Sequence, residues 1–221
     1  GPAVAFIYGL VLSRNGYRSS EVPMNRRTIL SLASAAVVPA LGARPRLQGR
    51  IETLTDFGAG AGTGSRIRVW LPPGHDERNL ARRTLYMLDG QYAFAGDSDG
   101  TNFRADRRVE RLMATGAIEP TIIVAIDHLG DERFLQYMPQ AIYERGDAGV
   151  RATVEREMAR LGAASLVSAD FVQFLETRLK PYIEARYHTS RDRLDTAIFG
   201  ASMAGVMAGA LFVEAPRMFG R

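Results

Sequence analysis

The stretch IFGASMAGVMAG, residues 198–209, decides the fold because it joins a strand pattern to a helix pattern through a turn of small residues. Ile198 and Phe199 end a run typical of a buried strand, and the apolar residues 203–214 predict a helix. Ser202 lies at the junction, where the free N–H groups of a helix N-terminus can stabilise a developing negative charge. Ser202 is therefore either a nucleophile or a small residue in a tight corner.

The residues around Ser202 are small, as a sharp strand-to-helix turn requires. The usual G-x-S-x-G pattern of a nucleophile turn places glycine two residues after the serine, and this chain has Ala204 there. We expect the Ala204 methyl group to crowd the turn slightly. Taken alone, the pattern does not separate a nucleophile from an ordinary turn.

Strand and helix patterns alternate from about residue 50 onward, and no linker divides residues 44–221. This alternation predicts one domain with an open, mainly parallel sheet and helices on both faces. Pro181 is expected to kink the helix predicted over residues 169–187. The predicted strands are SRIRVWLPPG (65–74), RTLYMLDG (83–90), TIIVAID (121–127) and RLDTAIFGA (193–201), and the predicted helices are RADRRVERLMATG (104–116), ADFVQFLETRLKPYIEARY (169–187) and 203–214.

Composition excludes several classes of function. The chain is 46% hydrophobic and 24% charged, which is typical of a globular protein, and it has no cysteine for disulfides, thiol catalysis or metal ligation. Residues 1–50 hold seven arginines and one acidic residue, so the net charge of +4 comes from this head, and residues 51–221 carry 21 basic and 23 acidic groups. We therefore expect no nucleic-acid partner, no metal site and no cofactor.

The basic head resembles an export signal. Arg26 and Arg27 precede an apolar, alanine-rich run, so residues 24–43 are predicted to be a bacterial twin-arginine signal peptide, with a periplasmic or secreted location. An N-terminal amphipathic or buried helix is the alternative. The run is too short, and too interrupted by Pro39, for a stable membrane span. Residues 1–23 are interpreted as an upstream segment or a remnant of protein expression.

Six segments are spread over nearly all of residues 50–221: RVWLPPGH, RTLYMLDGQYAF, IEPTIIVAID, DERFLQYMP, FLETRLKPYIEARYHTSRDR and GASMAG. Together they resemble the esterase D-like branch of the α/β-hydrolases. The resemblance implies the α/β-hydrolase fold and a serine esterase that acts on carboxylic esters through an acyl-enzyme intermediate. This branch includes siderophore, feruloyl and acetyl-xylan esterases, S-formylglutathione hydrolase and secreted mycolyltransferases, so the expected partner is a small-molecule ester.

The resemblance also implies roles for particular residues. Ser202 would be the nucleophile, and the backbone N–H groups of Met203 and Gln91 would form the oxyanion hole. Gln91 follows Asp89-Gly90. Without the resemblance, this dipeptide predicts only a turn with glycine at a positive φ. Arg133 and Tyr137 match a segment near the acyl pocket and are candidate substrate contacts, although Gln136 replaces a more usual glutamate and such residues are often ordinary surface.

The base for Ser202 is the main difficulty. His75, His128 and His188 all precede Ser202, whereas α/β-hydrolases place the acid and histidine after the serine, and the 19 residues after Ser202 contain no histidine. His128 is the nearest to a plausible substitute, because it follows a buried strand. We expect the triad acid, the triad histidine and the later strands to be missing from a C-terminally truncated chain, which would leave strand 196–201 as an exposed edge. Two hypotheses stand: a serine esterase or acyltransferase, and a non-catalytic hydrolase-fold remnant or binding module.

Overall fold

The computed structural model describes residues 49–55, 57, 65–75, 82–97 and 102–221. The predicted signal peptide and the segment before it lie outside these residues. The strands are β1 (Arg50–Leu54), β2 (Ile67–Leu71), β3 (Arg83–Leu88), β4 (Thr121–Ile126) and β5 (Thr196–Phe199). The α-helices are α1 (Ala105–Ala114), α2 (Arg133–Tyr137), α3 (Gln140–Arg145), α4 (Ala148–Arg160), α5 (Ser168–Phe174), α6 (Lys180–Tyr187) and α7 (Met203–Glu214).

The described strands form one sheet in the order β1-β2-β4-β3-β5. Strands β4, β3 and β5 are parallel, and β2 is antiparallel to both of its neighbours. Four of these five strands therefore point the same way, which confirms the prediction of an open, mainly parallel sheet. The sequence analysis predicted neither β1 nor the reversed direction of β2.

Strand β4 explains why helices cover both faces of the sheet. All six of its residues are buried, because alternate side chains enter two separate apolar cores. Ile122, Val124 and Ile126 pack with residues of α5, α6 and α7, whereas Ile123 and Ala125 pack with residues of α1. The prediction of two covered faces is confirmed.

The predicted helix 169–187 is continuous but changes its winding before Pro181. Helix α5 passes into a π-helical turn, Leu175–Leu179, which leads directly into α6. Proline has no N–H to donate to the carbonyl four residues earlier, and a wider turn accommodates that missing bond. The irregularity expected at Pro181 thus takes the form of a π-helical turn.

Strand β5 is less exposed at its outer edge than we expected. Beyond its pairing with β3, the Gly220 N–H donates to the Thr196 carbonyl, and the Ile198 N–H donates to the Arg221 carbonyl, each at 3.1 Å. Phe199, the last residue of β5, remains 38% exposed. The edge is therefore paired over its first three residues and open at the end nearest Ser202.

The segment between β4 and α5 folds into α2, α3 and α4, which the sequence analysis did not identify. Its apolar side chains form a small core of their own, made of Leu135, Val154, Met158 and Leu166. Among all the helices described, none is both long enough and apolar enough to cross a lipid bilayer.

Candidate active site

Ser202 has an unusual backbone conformation. It is the N-cap residue of α7, with φ 55° and ψ −125°, and it is exposed. A residue with a side chain pays about 1–3 kcal/mol for such a sparsely populated conformation, so the surrounding structure must enforce it. The Ser202 hydroxyl makes no capping hydrogen bond to α7. The exposed Ser202 side chain is therefore not bonded to the helix that it begins.

Gly200 is the residue that this sharp turn requires. A Cβ atom at Gly200 would lie 2.2 Å from the Ala204 carbonyl oxygen, and one at Gly205 would lie 3.1 Å from the Gly200 oxygen. Ala204, whose methyl group we expected to crowd the turn, is fully buried in the core beside Met207 and Leu211. The alanine is thus accommodated by the core, and the close approach falls on Gly200.

The hydrogen bonds in the first turn of α7 begin after Met203. The Ala204 N–H donates to the Ala201 carbonyl at 3.1 Å, and the Gly205 and Val206 N–H groups donate to the Ser202 carbonyl at 2.9 and 3.2 Å. These bonds begin one residue after Met203. The Met203 N–H is therefore among the groups at a helix start that have no intrahelical acceptor.

A second turn, at the end of β3, provides a similar group. A 3₁₀ turn covers Gly90–Tyr92, and the first N–H that bonds within it is that of Tyr92. The Gln91 N–H, one residue earlier, therefore has no acceptor within the turn. Contrary to expectation, Asp89 rather than Gly90 has the positive φ, at 56°. Gly90 is needed for a close approach, because a Cβ there would lie 2.5 Å from the Ile126 nitrogen.

Arg133 joins these two turns. Its Nε and Nη2 atoms donate to the two carboxylate oxygens of Asp89 at 2.8 and 2.7 Å. The same Nη2 atom donates a long hydrogen bond of 3.5 Å to the Ala201 carbonyl, next to Ser202. The bonds to Asp89 raise the pKa of Arg133. The bidentate pair fixes the guanidinium against Asp89, and the long bond to Ala201 links it to the turn that carries Ser202.

Tyr137 and Gln136 are buried residues that form hydrogen bonds with the segments around the site. The Tyr137 side chain is fully buried, and its hydroxyl accepts a hydrogen bond from the Asp89 N–H at 3.2 Å. Burial raises the pKa of this hydroxyl. In this conformation Tyr137 offers no surface to a substrate, whereas Arg133 remains partly exposed. The buried Gln136 amide accepts from the Leu129 N–H and donates to the Ser65 hydroxyl, at 3.2 and 3.1 Å.

The three histidines lie in different places. His75 is buried against the Tyr187 ring, and His188 ends α6 with φ 49°. His128 follows β4, and its backbone N–H donates to the Gln91 side-chain oxygen at 3.2 Å. Burial lowers the pKa of His128, with opposing effects of the nearby Asp89 and Arg133 charges.

Two further observations concern only the ranges that the structure describes. No hydrogen bond joins the Ser202 hydroxyl to a histidine there, and no three carboxylate or imidazole side chains converge as metal ligands. Arg133 thus links the turns that carry the predicted nucleophile and oxyanion groups, and none of the three histidines bonds to Ser202 in these ranges.

The ion pair between Arg133 and Asp89 has a testable effect on stability. Changing Arg133→Gln leaves the carboxylate of Asp89, which is only 8% exposed, without its cation, and we expect a loss of about 2–3 kcal/mol of unfolding free energy. The matched control is Arg160→Gln, which breaks an exposed ion pair with Glu157 and should cost less than about 0.5 kcal/mol. Urea unfolding measures both. Equal, small losses in the two variants would show that the Arg133–Asp89 pair does not stabilise the fold.

The sheet topology and the strained serine between β5 and α7 place this protein in the class of proteins with the α/β-hydrolase fold. Residues 60–221 match the family model described as "Putative esterase". Because the match covers most of the chain, this protein belongs to that family.

Solved structures share the fold at low sequence identity. A ferulic acid esterase is 22% identical with a TM-score of 0.51, and the match covers 78% of this chain and 56% of that one. The siderophore hydrolase EstA from Aspergillus nidulans is 16% identical with a TM-score of 0.50, covering 87% and 59%. An IroE-like serine hydrolase from Shewanella oneidensis is 18% identical with a TM-score of 0.50, covering 78% and 48%. This chain thus spans about half to three-fifths of the length of these relatives.

Proposed function

We propose that this protein is a serine esterase that hydrolyses carboxylic esters through an acyl-enzyme intermediate on Ser202. The observation that carries the proposal is the strained, exposed Ser202 at the start of α7. Strain of this kind persists where the surrounding structure enforces it, and it clusters at active sites. Membership of an esterase family supports the same reaction.

The proposed reaction uses the two turns together. The Ser202 hydroxyl loses its proton to a base as its oxygen bonds to the ester carbonyl carbon, and the N–H groups of Met203 and Gln91 stabilise the oxyanion. The bond to the alcohol oxygen then breaks, and the alcohol takes up the proton. Water repeats the sequence on the acyl group and frees Ser202. Arg133 would keep the two oxyanion donors at a constant separation.

We propose that the triad acid and histidine lie in sequence that follows residue 221. The length of the solved relatives supports this proposal, as does the absence of a Ser202–histidine hydrogen bond among the described residues. The test is to translate the gene beyond codon 221 and search for an aspartate or glutamate and a histidine that each follow a predicted strand. If neither exists, His128 is the first residue to mutate.

The proposed substrates are small-molecule esters. The relatives named as a ferulic acid esterase and a siderophore hydrolase make feruloyl esters and siderophore esters the first compounds to assay. A fluorophosphonate probe tests the mechanism, because it forms a covalent bond only with an activated serine. We expect the label on the peptide that contains Ser202. An unlabelled protein that still binds such esters would favour the non-catalytic binding module instead.

We also propose that residues 24–43 direct export through the twin-arginine pathway to the periplasm or the medium. The pair Arg26-Arg27 before an apolar run supports this proposal. Changing both arginines to lysine should block export of a reporter fused after residue 50. Unchanged export of the reporter would refute the twin-arginine assignment.

A further inference from the structure

Arg68 is a buried cation directed at the turn that carries Gln91. It lies on β2 and is only 7% exposed. Because β2 runs antiparallel to β4, Arg68 lies beside the carboxyl end of β4, opposite Ala125. Its Nη2 atom donates to the Gly90 carbonyl oxygen at 2.7 Å. Neither the family resemblance nor the proposed mechanism uses this residue.

Two carboxylates hold the guanidinium in place. Nη1 donates to Asp97 Oδ1 at 2.6 Å, and Nη2 also contacts Asp97 Oδ2 at 3.1 Å and Asp127 Oδ1 at 3.5 Å. The guanidinium carbon lies 5.1 Å from the centre of the Phe94 ring. The ion pairs compensate the burial of the charge, and the planar group therefore has one fixed orientation.

The bond to Gly90 orients the peptide group between Gly90 and Gln91. In a trans peptide the C=O and N–H bonds point in opposite directions, so fixing the Gly90 oxygen also fixes the direction of the Gln91 N–H. The Ala93 N–H donates to the same oxygen at 2.9 Å. A cation bonded to the carbonyl oxygen also polarises the amide and strengthens the N–H as a donor.

We infer that Arg68 is a positioning residue that aligns and polarises the Gln91 N–H for the oxyanion. This inference rests on the proposed function. Arg133 restrains the same turn from the Asp89 side, so the two arginines hold the Asp89–Gln91 segment at opposite ends. Lysine at position 68 would keep the charge, but its single ammonium group cannot bond Asp97 and Gly90 with the geometry of the fork.

The experiment compares Arg68→Lys and Arg68→Gln with Arg66→Gln in the full-length protein. Arg66 bonds the same Asp127 at 2.8 Å, but its side chain is 56% exposed and it is a matched control. Rates with p-nitrophenyl acetate are expressed per serine titrated by a fluorophosphonate, so unfolded protein does not count. Affinity for an alkylboronic acid, which forms a tetrahedral serine adduct, reports on the oxyanion hole.

Deleting one oxyanion donor typically lowers kcat by about 10²–10³-fold, so misalignment should lower kcat by about 10–100-fold with little change in KM. We expect this loss in Arg68→Gln, an intermediate loss in Arg68→Lys, a parallel loss of boronic acid affinity, and less than about twofold change in Arg66→Gln. If Arg68→Gln does not fold, Arg68→Lys decides.

If a folded Arg68 variant keeps its kcat and its boronic acid affinity, and hydrolysis still depends on Ser202, the inference about Arg68 is wrong and the proposed function stands. Full hydrolysis by Ser202→Ala would instead refute the proposed function.

Discussion

In the full-length protein, the Ser202→Ala variant is expected to lose ester hydrolysis by about 10⁴–10⁶-fold and to lose fluorophosphonate labelling completely. The alanine keeps the backbone and both oxyanion N–H groups but removes the atom that attacks the carbonyl carbon. What remains is catalysis from binding and the oxyanion hole alone, which leaves a small rate above that of water.

The measurement is kcat/KM with p-nitrophenyl acetate, together with mass spectrometry of the labelled peptides. Ser165→Ala is the matched control, because Ser165 is an exposed serine between α4 and α5 and should change neither result. A Ser202→Ala protein that retains more than a tenth of the reference activity would show that another group is the nucleophile.

Local patterns predicted the parts of the fold that depend on neighbours in sequence. Strand β4 was recognisable because a strand covered on both faces needs a nearly continuous apolar run, which here is residues 122–126. The start of α7 and the position of Ser202 followed from small residues that separate a strand pattern from a helix pattern. In these places the sequence within about ten residues contains the physical cause of the structure.

Contacts between distant residues were outside the reach of such patterns. The Arg133–Asp89 pair spans 44 residues, and the Arg68–Gly90 bond spans 22. An arginine in an alternating strand is usually solvent-exposed, so only the structure places Arg68 in a buried network. Helix α4 escaped notice because only two of its residues, Val154 and Met158, are buried, so its sequence shows no broad apolar face.

The roles of Arg133 and Tyr137 illustrate the same distinction. Sequence resemblance placed both residues near the site but could not separate a side chain that touches a substrate from one that braces the backbone. The structure gives each of them a partner at Asp89. A direct contact between Arg133 and a substrate stays a prediction.

The Gly200→Ala variant is expected to lose about 3 kcal/mol of stability, at the upper end of typical overpacking costs, and about 100-fold in kcat. The added methyl carbon would lie 2.2 Å from the Ala204 oxygen and 2.8 Å from the Gly205 nitrogen, which are backbone atoms that no rotamer change can move. Helix α7 must therefore shift away from β5, and Ser202 and the Met203 N–H shift with it.

Gly209→Ala makes the same chemical change on the same helix and should have the opposite effect. Gly209 is exposed on α7, and a Cβ there meets nothing within 4 Å. Replacing a helical glycine with alanine typically stabilises a helix by about 0.5–1 kcal/mol, so this variant should melt higher with unchanged kcat. Urea unfolding and p-nitrophenyl acetate hydrolysis measure both variants. If Gly200→Ala behaved like Gly209→Ala, the close strand-to-helix approach at Ser202 would not be what holds the serine in its strained conformation.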